Sequence, residues 1–164
     1  MRKLSPLMLA SFLAFAFVPT DGAAAAVLRT RVPNDLTYLE WGDKHDITGD
    51  VQIIFNIMQG LVTLDEQGNP APALAERWDV LDGGRTYLFH LRKNAKWTDG
   101  TPLRARDFVY AWTRVLDPAT RSGYAFYLDF LKNAVAFRTG RLKDRSKLGV
   151  AALDDHRLEV KLER

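Results

Sequence analysis

Between residues 85 and 92 the side chains change character at every step, a period of two that belongs to a strand and not to a helix. Tyr87, Phe89 and Leu91 fall on one side of such a strand, and Thr86, Leu88 and His90 on the other. Asp82-Gly83-Gly84, directly before it, is turn chemistry, and folds the strand back on Trp78-Asp79-Val80-Leu81. After a second turn at Asp99-Gly100, Phe108, Val109, Trp112 and Leu116 recur at helical spacing with Val115 beside them, and Asp117-Pro118 closes the run. Residues 74–116 therefore predict a strand pair, a turn and an amphipathic helix whose large stripe needs a sheet or another helix to cover it.

The helix start carries a local flaw. A capping box needs a hydroxyl or short acceptor three residues before Asp107, and the chain has Arg104, which only donates. The cap is expected to move to Thr101 or to be left to water.

Other segments read by the same rules. Residues 48–59 predict a helix with Thr48 as N-cap and Val51, Ile54, Phe55 and Met58 as its stripe. Gly60 stands where a left-handed terminating residue belongs. Leu61, Val62 and Leu64 suggest a short strand, residues 66–69 a turn, Pro70 and Pro72 a stiff link, and residues 74–77 one helical turn. Residues 121–137 are rich in aromatics, predict a helix or irregular turn, and end at Thr139-Gly140-Arg141. Near the end, residues 150–153 lead into the turn Asp154-Asp155-His156, and the alternation of Leu158, Val160 and Leu162 with Glu159, Lys161 and Glu163 predicts a half-buried strand.

The N-terminus is of another kind. Arg2 and Lys3 precede an apolar run over residues 7–18, which Pro19 to Gly22 breaks ahead of four alanines at 23–26. The run is shorter than the ~20 residues a spanning helix needs. Residues 1–26 are expected to be a secretory signal peptide. The 164 residues contain no cysteine, so neither a disulfide nor a lipid-modified N-terminal cysteine is expected. The formal net charge of +3 is too small to imply nucleic acid. Basic residues do gather at 132–147, where Asp144 is the only counter-charge inside the run; a solvated surface, or a weak polyanion or membrane-surface contact, is the expectation.

No catalytic or metal constellation stands out. His45, His90 and His156 are far apart with no HExxH spacing, no serine sits in a GxSxG, and Gly83-Gly84 lacks the lysine and helix of a phosphate loop. His90, between Phe89 and Leu91, reads as a structural histidine, and Asp154-Asp155 as turn formers. Trp97 reads as packed beneath the Asp99-Gly100 turn. Neither an enzyme nor a cofactor or metal protein is expected.

The blocks at 70–78, 86–103, 105–118, 122–130 and 148–164, in that order, closely resemble the extracellular solute-binding proteins of family 5, the oligopeptide- and dipeptide-binding proteins of ABC importers. The resemblance implies a mixed α/β, two-lobed type II periplasmic binding protein, monomeric when full length. It implies that residues 27–61 begin the large discontinuous lobe and that 62–164 form a satellite domain with an incomplete return. The second ligand-closing lobe would be absent, and closure needs both lobes. A periplasmic, non-lipidated protein follows, with an oligopeptide or dipeptide as ligand and membrane permease subunits as partners, and no nucleic acid. Nickel chelates, haem, glutathione, opines or some sugars are other ligands within the family, and a truncated interaction module is the alternative outside it. Tyr124 and Tyr127 of Tyr124-Ala125-Phe126-Tyr127 match the segment whose tyrosine reaches the cleft in the peptide binders. Relatives usually carry Leu-Asp-Pro after a proline near the cleft; this chain instead has Leu36-Thr37-Tyr38 following Pro33-Asn34-Asp35, making Leu36 and Tyr38 the candidates there.

Overall fold

The computed structural model describes residue 54 and residues 56–163. Ile54, Asn56 and Ile57 are helical, and Ile54 is buried. Met58 and Gln59 lie past the end of this helix, and Met58, expected on its apolar stripe, is 48% exposed; the rest of the predicted 48–59 helix, like the signal segment and the region of Leu36 and Tyr38, lies outside the described residues.

Strands β1 (Val62–Leu64) and β2 (Pro70–Pro72) form an antiparallel hairpin with Val62 opposite Pro72 and Leu64 opposite Pro70. Asp65 shapes the turn, its Oδ1 accepting from Gln67 N at 3.0 Å and Asn69 N at 2.8 Å, and Gly68 takes φ 81°. Asp65 N donates to Asn69 O at 2.9 Å. The alternation from that bonded pair leaves both prolines at non-bonded positions, where a missing N–H costs nothing. The predicted stiff link is thus itself a strand. Gly60 does not terminate a helix in the left-handed region, because its φ is not among the positive ones; its carbonyl instead accepts from Leu74 N at 3.1 Å.

The main sheet has the order β3-β4-β6-β5, all antiparallel, from β3 (Ala75–Leu81), β4 (Thr86–Leu91), β5 (Val150–Ala152) and β6 (Arg157–Lys161). The expected helical turn at 74–77 is overturned. Ala75 N donates sideways to Leu61 O at 2.9 Å and Leu74 O accepts from Arg92 N at 2.9 Å, so these groups serve neighbouring strands. A register shift between Ala75 and Arg77 then leaves Glu76 extra, which blurs the period of two. Between β3 and β4, Asp82, Gly83 and Gly84 all have positive φ (51°, 64° and 88°), the conformation the paired glycines make cheap.

One sheet face is apolar. Val160 lies opposite Tyr87 and Leu158 opposite Phe89; Leu158 and Val160 are buried. Helix α1 (Ala105–Leu116) packs against β5 and β6. Ala105 and Leu116 are fully covered, and Phe108, Val109 and Trp112 are partly buried on the core, as the stripe predicts. The N-terminus of α1 is solved differently from either expectation. Asp107 Oδ2 accepts Arg104 N at 2.9 Å, Asp107 N donates to Arg104 O at 3.0 Å, and Ala105 N reaches Asp155 O at 2.9 Å across the sheet end. Trp97 is half exposed, not packed under its turn, and its Nε1 donates to the same Asp107 Oδ2 at 3.2 Å. Asp99 caps that turn by accepting from Thr101 N at 2.8 Å.

Beyond α1 the chain runs through single 3₁₀ turns at Pro118–Thr120 and Ala125–Leu128, helix α2 (Ala134–Arg138), and a further 3₁₀ turn at Arg145–Lys147. Leu131, fully buried, forms a bridge to Leu162. Lys132 N donates to Lys161 O, Gly149 N to Lys132 O and Glu163 N to Phe130 O, each at 2.9 Å. A Cβ on Gly149 would collide with the Lys161 carbonyl and the Lys132 backbone, so only glycine fits this approach.

Candidate ligand-binding surface

Two of the four candidate residues meet. Tyr124 precedes the Ala125–Leu128 turn, and Tyr127 N donates back to Tyr124 O at 3.0 Å. That one-turn spacing sets the two rings 6.0 Å apart at 21°, and Phe126 stacks on Tyr127 at 4.4 Å and 30°. Tyr124 is half-buried, while Phe126, Tyr127 and Phe130 are exposed at 54%, 62% and 50%, so the set is an aromatic patch on the surface. Flat apolar faces carrying phenol groups suit an extended chain whose backbone both stacks and hydrogen-bonds. Leu36 and Tyr38 lie outside the described residues.

The turn beneath these rings has no fully buried residue of its own. Ala125 and Leu128 rest partly buried on the core. Asp129, next in the chain, is gripped at two points by Arg138 of α2, Nε to Oδ1 at 2.5 Å and Nη2 to Oδ2 at 2.6 Å. That bond holds the Arg138 guanidinium above its ordinary pKa. Arg138 is thereby not part of an unopposed basic run, because its counter-charge comes from outside residues 132–147. Phe126, Asp129 and Arg138 escaped sequence reading: Phe126 is adjacent to the tyrosines, but the separation of the ion pair follows no helical or strand period.

A second, polar groove opens beside the β5–β6 turn, lined by Glu76, Arg77, His90, Lys93, Asp154 and His156 among others. His90 is structural, with Nε2 2.7 Å from Asp79 Oδ2 and Nδ1 3.1 Å from Arg77 Nη2. The His90 hydrogen bond is the chief reason the Asp79 carboxyl sits below its usual range. Asp154 is a turn former as expected, accepting His156 N at 2.8 Å; Asp155 in addition pairs with Arg104 at 2.8 Å. His156 Nδ1 is buried with no partner. Among the described residues no three His, Cys, Asp or Glu side chains gather as a metal would require, and no helix is long and apolar enough to cross a membrane.

Known proteins share this architecture. The periplasmic oligopeptide-binding protein OppA of Salmonella typhimurium is 41% identical over 163 residues, covering 97% of this chain and 30% of the relative. The probable deoxycholate-binding periplasmic protein YgiS of Escherichia coli is 49% identical over 114 residues, covering 68% of this chain and 21% of the relative. The crystal structure of the substrate-binding domain of an oligopeptide ABC transporter from Bacillus anthracis superposes with a TM-score of 0.70 at 45% identity, covering 75% of this chain and 23% of that one. The chain thus spans less than a third of the length of these relatives, and its mixed α/β fold is part of a type II periplasmic binding protein. Residues 69–164, more than half of the chain, match the model of the bacterial extracellular solute-binding proteins, family 5, and the chain belongs to that family.

Proposed function

We propose that this chain belongs to the ligand-capturing component of an ABC importer for peptides, working in the periplasm and delivering its ligand to membrane permease subunits. It binds and does not catalyse. Residues 1–26 direct export, 27–61 open the large lobe, and 62–164 form the satellite domain, with Leu36 and Tyr38 at the cleft edge. The stacked rings of Tyr124, half-buried, and Tyr127, exposed, carry the reading: a peptide backbone lies across them, its amides meeting the phenols. The likeness to the Salmonella oligopeptide-binding protein along 97% of the chain supports it.

Titration with tri-alanine to millimolar concentration, followed by NMR of the tyrosine rings, tests the proposal. Shifts at Tyr124 and Tyr127 are expected, with Tyr124→Ala weakening binding about tenfold, the scale of a lost aromatic anchor. The 49% identity to the probable deoxycholate-binding protein favours one second reading, an amphipathic steroid acid on the same rings. Deoxycholate shifting the rings where tri-alanine does not would replace the first reading with the second. Silence with both would remove the surface from ligand binding.

A further inference from the structure

We propose that His90 is a proton-operated latch: neutral, its Nδ1 holds the guanidinium of Arg77 on the edge strand β3, and on protonation it releases that guanidinium in the groove beside the β5–β6 turn. Geometry fixes the tautomer. An arginine side chain only donates, so the 3.1 Å contact from Arg77 Nη2 makes His90 Nδ1 the acceptor. The ring proton is then on Nε2, which donates it to Asp79 Oδ2 at 2.7 Å. A second proton can enter the ring only at Nδ1, the atom that Arg77 occupies. Two donors and two positive charges would then face each other.

The neighbours decide which partner moves. Asp79 keeps its bond, because Nε2 donates in both states of the ring. That same hydrogen bond is the chief reason its carboxyl lies below the usual range, so it stays charged while an imidazole titrates. His90 is anchored on a strand with a neighbour on each side, and its side chain is 16% exposed. Arg77 is 59% exposed and stands on the edge strand beside the register shift. Its other side-chain tie among the described residues is the Nη1 contact to Asp79 Oδ1 at 3.3 Å. The guanidinium is therefore the part that leaves. Other charges on this face of the sheet are engaged elsewhere. Arg157, opposite His90, donates to Asp154 Oδ2 at 2.7 Å, and Glu159 pairs with Lys161 at 2.8 Å. Glu76, Lys93 and His156 share the groove with Arg77 and His90. His156 is the second imidazole there, and a titration has to separate the two rings.

NMR of the full chain from about pH 8 to about pH 5, the span in which imidazoles ordinarily titrate, tests the latch. At the upper end the ring nitrogens of His90 should read as Nε2–H with a bare Nδ1; the opposite tautomer would overturn the proposal. As the ring charges, the Arg77 guanidinium signals should shift toward those of free arginine, with the same midpoint as the ring. Arg77 signals that stay still while His90 titrates would overturn it, as would a ring that takes up no proton in this span. His90→Gln keeps an acceptor for Arg77 and gains no charge, so the Arg77 step should vanish; His156→Gln should leave the step in place. A step that survives His90→Gln, or disappears with His156→Gln, would assign the release to another group and sink the latch. Amide signals of Leu88 and Phe89 show whether the sheet of each variant is intact, and the wild-type curves alone decide where a variant fails to fold.

Discussion

Single residues in this chain act mainly where backbone meets backbone. Gly149 has no alternative: Gly149→Ala forces the 130–132 segment away from β6, and overpacking of this kind costs about 1–3 kcal/mol. Urea unfolding should show a lower midpoint with an unchanged slope, and an unchanged midpoint would mean the close approach relaxes freely. Carboxylates act through protons. Asp99 and Asp154 sit below their ordinary value, chiefly because Thr101 and His156 backbone N–H groups respectively donate to them. A carboxyl whose native pKa lies below the unfolded value of 3.8 binds protons more weakly when folded. Its stabilisation is fully present above that value and is lost as pH falls below it toward the native pKa. Stability should therefore hold from neutral pH to near 4 and decline below it. Asp99→Asn should flatten part of that decline when urea midpoints are measured against pH; parallel curves for variant and wild type would refute this origin.

At the scale of the element, α1 depends on Asp107 more than on its N-cap residue. Asp107→Ala removes the acceptor of both Arg104 N–H and Trp97 Nε1–H, and the scale of a lost cap is about 0.5–2 kcal/mol. Trp97 emission, read through thermal unfolding, should shift and the midpoint fall; a variant as stable as wild type would show that water replaces the carboxylate. The same element shows what a sequence can disclose. The α1 stripe and the β6 alternation were legible because each buries one face at one period, whereas β4 is covered on both faces. The 74–77 segment was misread because its order is set by distant partners, Leu61 and Arg92, with a bulge between. The cap was misread because the carbonyl of Asp155, far along the chain, takes the Ala105 N–H. Of the candidate surface, Tyr124 and Tyr127 were found through family likeness, and their stacking follows from one 3₁₀ turn. The grip of Arg138 on Asp129 depends on where α2 docks, and no local pattern encodes that.

Across the described body, order should fall off from the sheet centre toward the aromatic surface. β4 and β6 have a bonded neighbour on each side and carry the buried Leu91, Leu158 and Val160. The β1–β2 hairpin has two strands, mostly exposed residues and two prolines. Opening free energies track such differences in burial and bonding. Hydrogen exchange followed by NMR should find the slowest amides in β4 and β6, intermediate protection at Lys132 and Gly149 in the ladder, and fast exchange at residues 62–64 and 125–128. This gradient would suit the proposed capture surface, with rings on a light turn next to a rigid ladder a few residues away. Protection of residues 125–128 as strong as that of β6 would contradict it, and would mean that the aromatic turn is as firmly held as the sheet centre.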